Sequence, residues 1–419
     1  MTFYEGPGIE PAPPPEPGFV ANYLPALRVR SYAYFFSGQA VSLIGTWMQI
    51  VAQGWLVYDL THKGHSLGLV SFCSAAPLIL FSLAGGKLAD RFSKRNLLLV
   101  TNGLFLVQAG ALSALTLAHV VTIPMIMALA LLGGSISAVD APTRLSMVVE
   151  LVGKDNVPNA VALNSILFNV ARVLGPSIAG LVLARLSAGH CFAINAATFV
   201  AVMFALTRIP DTGVPVADPN GDGDGAGLWR YLRDERAIGA LLLLVTMSSI
   251  LGFAWMQLMP LIAHRLLGLG ASGYASLMTV AGLGALGAGL MIIVTRGRST
   301  SGAVILAGLG LMAASLVVVS FARSLSVALP AVIVLGFAGV TAVANVNSLL
   351  QRRVRADMRG RVFGLYSMSL MGMMPLGSLA LGTLVDVFPP ALVMRAAAVL
   401  LALVGLGSFL AAPKLARLS

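Results

Sequence analysis

The chain contains twelve continuous apolar runs, and this feature constrains its fold more than any other. A hydrocarbon core about 30 Å thick needs about 20 helical residues to cross it. Because the runs are continuous and do not alternate with polar residues, they predict helices rather than the strands of a barrel. The runs span residues 32–58, 67–83, 97–118, 123–139, 161–186, 191–206, 238–263, 274–294, 303–321, 327–346, 362–387 and 391–411.

The composition also indicates a membrane protein. Hydrophobic residues make up 58% of the chain and charged residues only 10%, whereas a soluble domain carries about 25% charged residues. This balance excludes a soluble enzyme, a disordered chain and a nucleic-acid-binding protein, although the net charge is +11. Cys73 and Cys191 lie within apolar runs, so the sequence offers neither a disulfide framework nor a cysteine-rich metal site.

Most of the 27 Lys and Arg residues lie on one predicted side of the membrane. Because Lys and Arg favour the cytoplasmic side of a membrane protein, this bias predicts that both termini are cytoplasmic. Arg172 and Arg395 are assigned to the interior of spans. The basic residues expected on the outer side are Lys63, Arg185, Arg265 and Arg323.

The pattern of spans and polar stretches predicts five segments. A Pro-rich cytoplasmic tail at residues 1–30 lacks the apolar core of a signal peptide and is expected to be disordered. Two six-helix bundles at residues 31–209 and 237–412 flank a cytoplasmic linker at 210–236. The linker is expected to end in a short surface helix near residues 228–236, and residues 413–419 form a second cytoplasmic tail.

The two sets of six spans resemble each other when the chain is shifted by 202 residues. The aligned glycines are Gly134 with Gly336, Gly175 with Gly377, and Gly180 with Gly382. Each pair falls at the same point of its half. The shift therefore predicts two pseudo-symmetric bundles, an arrangement in which transporters hold a cavity between halves that rock to give alternating access.

The segment 86–95, which follows the second span, reads GKLADRFSKR. Its glycine allows two helices to approach closely, its aspartate can cap or pair at a helix end, and its basic residues can face lipid phosphates. The segment resembles the loop signature between helices two and three of the major facilitator superfamily. The alternative is that its basic residues only set the topology. The resemblance implies a cytoplasmic gate that includes Gly86, Asp90, Arg91, Lys94, Arg95 and Arg144.

The fifth span contains the segment 172–180, RVLGPSIAG. Its proline interrupts the helical hydrogen bonds and its glycines allow tight packing, so Gly175, Pro176 and Gly180 predict a hinge. The segment resembles the Gly-Pro signature of exporters in the superfamily, with Ala179 where the stricter pattern has glycine. The alternative is a kinked packing helix with no bearing on transport direction.

Three further segments narrow the resemblance. Residues 140–144 read DAPTR, residues 158–172 read PNAVALNSILFNVAR, and residues 357–362 read DMRGRV. Together they resemble the enterobactin-exporter-like branch of the superfamily. The resemblance implies a bacterial cytoplasmic membrane protein that exports siderophore-like or amphiphilic drug-like molecules in exchange for protons.

Ionisable groups within spans are functional candidates because a charge is costly to place in lipid. Arg172 lies about 12 residues into its helix, hence about 18 Å deep, where it would attract an anionic cargo or tie bent helices together. Asp140, near the inner end of span four, would carry protons or form a static pair with Arg144. Asp90 would likewise either carry protons or form a static pair.

Neutral polar side chains on spans one, five, seven and ten complete the candidate substrate site. Gln49 and Gln53 are four residues apart and therefore share one helix face. Hydrogen bonds between helices are the alternative role for such residues. The predicted substrate-binding residues are Gln49, Gln53, Asn164, Asn169, Arg172, Gln257, Asn345 and Asn347.

The sequence thus predicts an all-α polytopic membrane protein with a major facilitator fold that acts as a transporter and not as an enzyme. The chain has no nucleotide-binding P-loop pattern, and we expect no cofactor and no metal. Expected partners are a small-molecule substrate, protons and membrane lipids at the basic loops, with no nucleic acid, and the chain is expected to be a monomer. Three alternatives remain: a lysophospholipid or lipid-like translocase of the same fold, a membrane-embedded lipid-modifying enzyme, and a non-transporting receptor that keeps the fold.

Overall fold

The first half of the molecule consists of six long helices. The computed structural model describes residues 25–210, 226–295, 301–355 and 358–411, and these residues contain 12 helices that are long and apolar enough to cross a membrane. The twelve predicted spans are thereby confirmed. The helices of the N-terminal half are α1 (Arg30–Thr61), α2 (Gly64–Arg91), α3 (Lys94–Leu117), α4 (Ile123–Gly153), α5 (Asp155–Arg185) and α6 (Ala188–Thr207).

The second half follows a short helix, α7 (Ala226–Asp234), which lies close to the predicted surface helix. Two of its spans are interrupted, so the half contains more helical segments than spans. Its helices are α8 (Arg236–Met247), α9 (Met259–Arg265), α10 (Ala271–Val294), α11 (Gly302–Phe321), α12 (Leu325–Arg353), α13 (Arg359–Ser367), α14 (Met373–Val387) and α15 (Pro390–Ala411).

The predicted disordered tail at residues 1–30 was too long at its C-terminal end. Pro25–Arg28 form a 3₁₀-helix, and Arg30 already belongs to α1. Ala26 is fully buried, and its backbone N–H donates to Asn159 Oδ1 at 3.2 Å. The segment is therefore anchored to α5. Residues 1–24, most of the linker and residues 413–419 lie outside the described residues.

Spans four and five extend well beyond their apolar runs. The run from Ile123 to Arg185 is helical except at Gly153, whose φ of 69° favours glycine. Hydropathy alone ends span four at residue 139 because polar and charged residues follow, and this boundary was wrong. The helix continues because buried partners within the same half compensate those charges.

Spans seven and eleven both contain irregular turns. A π-turn at Ser248–Gly252 and a 3₁₀-turn at Phe253–Met256 follow α8, and a π-turn at Met368–Gly372 joins α13 to α14. Pro260 and Pro375 each follow shortly after these turns. Because proline lacks an N–H and its ring clashes with the carbonyl four residues earlier, both turns have a local cause in the sequence.

The internal repeat is confirmed by helix packing. Gly134 brings α4 against Ser74 of α2, and the aligned Gly336 brings α12 against Ala281 of α10. These are the same crossing in the two halves. The Gly180–Gly382 pair marks the two crossings between halves, where α5 meets α10 and α14 meets α2. The fold is therefore the predicted pair of pseudo-symmetric six-helix bundles.

Candidate functional site

A cavity of about 760 Å³ lies between the halves. The N-terminal half provides most of its wall, from α1, α2, α3, α4, α5 and α6. The C-terminal half contributes four residues next to its irregular turns: Gln257, Met371, Met374 and Pro375. The proline-induced turns of spans seven and eleven thus shape one wall of the cavity.

An ion pair lines the cavity on α4. Arg144 follows Asp140 by one helical turn, and its Nε and Nη2 both donate to Asp140 Oδ2, with Nε at 3.1 Å. The Thr101 hydroxyl donates to Asp140 Oδ1 at 2.8 Å. Arg144 Nη1 donates to Gln39 Oε1. The structure therefore contains the pair that the sequence analysis raised as one role of Asp140; whether Asp140 also carries protons stays a prediction.

A chain of three amides lies deeper in the N-terminal half. Asn195 Nδ2 donates to Gln49 Oε1 at 2.7 Å, and Gln49 Nε2 donates to Gln108 Oε1 at 3.4 Å. Gln108 Nε2 in turn donates to the Leu129 carbonyl at 3.2 Å. All three amides line the cavity. The sequence analysis missed Gln108 and Asn195, although a polar residue inside an apolar run, the criterion that selected Gln49, would have found both.

Three of the eight predicted substrate-binding residues line the cavity: Gln49, Gln53 and Gln257. The asparagines lie elsewhere, and most contact their own helix. Asn169 Nδ2 donates to the Ser165 carbonyl, and Asn345 Nδ2 donates to the Thr341 carbonyl, both at 2.8 Å. Asn347 Oδ1 accepts from Gln351, and Asn164 is half-buried on α5. Their predicted role in binding stays untested.

Arg172 does not line the cavity. Its guanidinium lies 5.7 Å from the ring centroid of Trp47, which makes an edge contact with Phe168. Its Nε is buried and has no hydrogen-bond partner in the part of the chain that the structure describes. Arg172 is thus held by an aromatic ring of α1, a cation–π contact.

The predicted hinge residues of α5 lie at helix contacts. A Cβ added at Gly175 would lie 2.9 Å from Met48 N of α1, and one added at Gly180 would lie 2.9 Å from Ala275 Cβ of α10. Pro176 is buried between them. These glycines therefore allow α5 to pack closely on both halves, and their role as a hinge stays a prediction.

The predicted gate residues lie at what we call the linker end, which carries the α2–α3 turn and α7. Lys94 pairs with Glu150 of α4, and Arg95 Nε donates to the Leu206 carbonyl at 3.0 Å.

The other predicted gate residues make no such contacts within the described residues at this end. Arg91 is exposed, and a Cβ added at Gly86 would have no neighbour within 4 Å. Asp90 is exposed and has no hydrogen-bond or ion-pair partner among the described residues. Arg144 lies in the cavity wall instead.

The two halves are joined at the opposite end, which we call the closed end. Asp386, at the end of α14, accepts hydrogen bonds from the backbone N–H groups of Gly64 and His65 at 2.7 and 2.8 Å. These are the first residues of α2, so a carboxylate caps the positive end of a helix in the other half. Arg265 Nη2 lies 3.6 Å from Asp386 Oδ1. The sequence analysis did not single out Asp386.

Further contacts reinforce the closed end. Arg265 donates to the Val385 carbonyl at 3.0 Å and to the His62 carbonyl. The Tyr58 hydroxyl and His264 Nδ1 are 3.0 Å apart. Apart from a contact between Ser177 and Thr279, every hydrogen bond that joins described residues of the two halves lies at this end.

The comparison with known families decides the identity. The sequence profile described as "Transmembrane secretion effector" matches residues 21–417. The chain belongs to this family of the major facilitator superfamily. This confirms the resemblance, and the related proteins are membrane transporters rather than enzymes.

Several relatives span most of this transporter. The staphyloferrin A transporter of Staphylococcus aureus is 29% identical over 372 residues, which cover 85% of this chain and 89% of the relative. The multidrug efflux pump Tap of Mycolicibacterium fortuitum is 23% identical over 365 residues, 82% of this chain and 86% of the pump. The enterobactin exporter EntS of Salmonella typhi is 26% identical over 234 residues, 54% of each chain.

Solved structures share the fold. The nucleoside transporter NupG superposes with a TM-score of 0.73 at 14% identity, over 90% of this chain and 98% of NupG. A bacterial homologue of the lysosomal transporter Spinster superposes with a TM-score of 0.69 at 13% identity, over 93% of this chain and 98% of the homologue. At these identities the likeness shows the major facilitator fold alone.

Proposed function

We propose that this transporter exports a siderophore-like or amphiphilic drug-like molecule across the bacterial cytoplasmic membrane in exchange for protons. The names of its relatives, a staphyloferrin A transporter, an enterobactin exporter and a multidrug pump, support the cargo class. The profile match over residues 21–417 supports one mechanism for the whole chain.

The observation that carries the proposal is the cavity between two halves that are joined at one end. Among the described residues, most hydrogen bonds between the halves lie at the closed end, while the ion pairs of Lys94, Asp140 and Asp386 each stay within one half. Breaking one set of contacts and forming another is what alternating access requires. The excess of basic residues at the linker end supports a cytoplasmic location for that end, so this conformation admits cargo from the cytoplasm.

Asp140 is the proposed proton carrier. Protonating it would remove the charge that holds Arg144. The neighbouring Asn102 Nδ2 lies 3.5 Å from Asp140 Oδ1, and its own Oδ1 is buried without a partner in the described part of the chain. The same Nδ2 donates to the Leu98 carbonyl at 2.8 Å, so Asn102 is anchored to its own helix. An Asp140 that has released Arg144 would keep the Thr101 hydroxyl as a partner of Oδ1.

Transport into inverted vesicles tests this proposal. With staphyloferrin A or ethidium as the probe, we expect an acidified lumen to drive uptake of at least one of them. Asp140→Asn, which cannot exchange a proton, should slow this uptake about tenfold. Asp234→Asn, an exposed change on α7, should leave it unaltered. Uptake of both probes that ignores the pH gradient would reject the proton exchange.

A further inference from the structure

The cavity has two chemically different walls. Its N-terminal wall carries the Asp140–Arg144 pair and the amides of Gln49, Gln108 and Asn195. Its C-terminal wall is mainly apolar, with Met371 and Met374 beside Pro375 and the single amide of Gln257. A cargo that fits both walls needs one polar end and one apolar end. The charge of the N-terminal wall decides whether that polar end is anionic or cationic.

Arg144 supplies the only positive charge among the described residues that line the cavity, and Asp140 supplies the only negative one. The two are not equally accessible. The Arg144 side chain is 25% exposed and that of Asp140 only 5%. A molecule in the cavity therefore meets the guanidinium before it meets the carboxylate, and the wall favours an anionic group.

Arg144 retains unused donors in this position. Its contacts use Nε and Nη2 for Asp140 and Nη1 for Gln39. A guanidinium carries more N–H groups than these three contacts use, so one on Nη1 and one on Nη2 remain available. Charge-assisted hydrogen bonds from such donors to a carboxylate are stronger than those between neutral groups.

Asp140 can release Arg144 without losing all its partners. Thr101 donates to Asp140 Oδ1 at 2.8 Å, and Asn102 lies within 3.5 Å of the same oxygen. The arginine contacts are on the other oxygen, Oδ2. A second carboxylate can therefore compete with Asp140 for the guanidinium while Asp140 stays hydrogen-bonded.

We infer that the cargo carries a carboxylate that binds Arg144 in competition with Asp140, while its apolar part contacts Met371 and Met374. This inference rests on the proposed function, because it names the chemical class of the exported molecule. It assigns to Arg144 a binding role where the sequence resemblance implied a gate, and it places anion recognition on α4 rather than at Arg172 of α5.

A matched pair of probes tests the inference. Dansyl-aminohexanoic acid and its primary amide differ only in the carboxylate, and the dansyl fluorescence reports binding to the full chain in lipid nanodiscs. We expect the acid to bind about tenfold more tightly than the amide, the effect of one charge-assisted contact. Arg144→Gln should abolish this preference while leaving amide binding intact, and the intact amide binding shows that the variant is folded.

Two further variants separate the competing residues. Asp140→Asn removes the internal competitor and should tighten acid binding severalfold without changing the affinity for the amide. Arg395→Gln is the matched control: this half-buried arginine of α15 contacts the Ala391 carbonyl and the Phe321 ring and does not line the cavity. The Arg395→Gln variant should prefer the acid probe over the amide probe as strongly as the unaltered chain does.

Equal binding of acid and amide to the unaltered chain would overturn the inference. A preference that survives Arg144→Gln but disappears in Arg172→Gln would also overturn it and move the anion site to α5. Either result would leave the proposed function standing, because proton-driven uptake into inverted vesicles is measured separately. Conversely, loss of gradient dependence would reject the proposed function and leave the carboxylate preference standing.

Discussion

The closed end and the linker end differ in where their charged residues find partners. At the closed end, Asp386 and Arg265 belong to the C-terminal half and bind the backbone of Gly64, His65 and His62 in the N-terminal half. At the linker end, the described Lys94 and Arg95 bind within the N-terminal half. The polar contacts that hold this conformation are therefore concentrated at one end of the molecule.

Glycine packing shows the same contrast. At the closed end, a Cβ added at Gly68 would lie 2.6 Å from the Ser378 carbonyl oxygen, and one added at Gly382 would meet the backbone of Gly64. On α10, towards the linker end, a Cβ added at Gly289 would have no neighbour within 4 Å. The helices α2 and α14 approach closely enough for the Asp386 cap only because both carry glycine.

Gly68→Ala should break this contrast most strongly. Because the obstructing atoms at Gly68 belong to backbone, which cannot move aside as a side chain can, the halves must separate at the closed end. We expect a cost of about 3 kcal/mol, at the upper end for overpacking. Spin labels at the exposed positions of Lys63 and Phe388, in a Cys73→Ala and Cys191→Ala background, would report a longer distance across the closed end.

Gly289→Ala is the matched control for this experiment. It adds the same methyl group to a membrane helix where nothing obstructs it, so the distance between the labels should not change. If Gly68→Ala also left the distance unchanged, close packing of α2 on α14 would not be what holds the end closed.

Asp386→Ala should weaken the closed end to a smaller degree. It removes a charge-assisted cap of α2 and the partner of Arg265, and we expect a loss of about 1–2 kcal/mol. The ratio of closed to open molecules, measured with the same labels, should fall about 5- to 30-fold. Asp59→Ala is the control, since this exposed carboxylate on α1 has no hydrogen-bond or ion-pair partner in the described ranges. An equal effect of the two changes would show that net charge, and not the cap, controls closure.

The sequence was sufficient to predict the repeated architecture. Each span is recognisable from its own apolar run, and the aligned glycines Gly134 and Gly336 reported the same helix crossing in both halves. Asp140 was identifiable as a candidate because a carboxylate in a membrane helix needs a partner, and Arg144 one turn later can supply it. These features depend on neighbours close in the chain.

Other features could not be predicted because they depend on distant partners. The Asp386 cap joins residues from opposite ends of the chain, and nothing in the local sequence around Asp386 indicates α2. Asn169 and Asn345 suit a binding site as well as they suit a bond to their own helix, and only packing decides between the two. Likewise, hydropathy ended span four too early because it counts Asp140 and Glu150 as costs without their partners.

Asp90→Asn should have the smallest effect on this conformation and so sharpens the contrast between the ends. Asp90 is exposed and has no partner among the described residues, so its replacement should cost no more than an ordinary surface substitution, about 0.5 kcal/mol. The spin-label distance at the closed end should therefore stay the same. If Asp90 instead belongs to a gate that forms when the linker end closes, the substitution destabilises only that other conformation. Uptake into inverted vesicles would then slow, while the spin-label distance at the closed end stays the same. A shifted distance with unaltered uptake would contradict this assignment, because it would mean that Asp90 stabilises the conformation in which it has no partner.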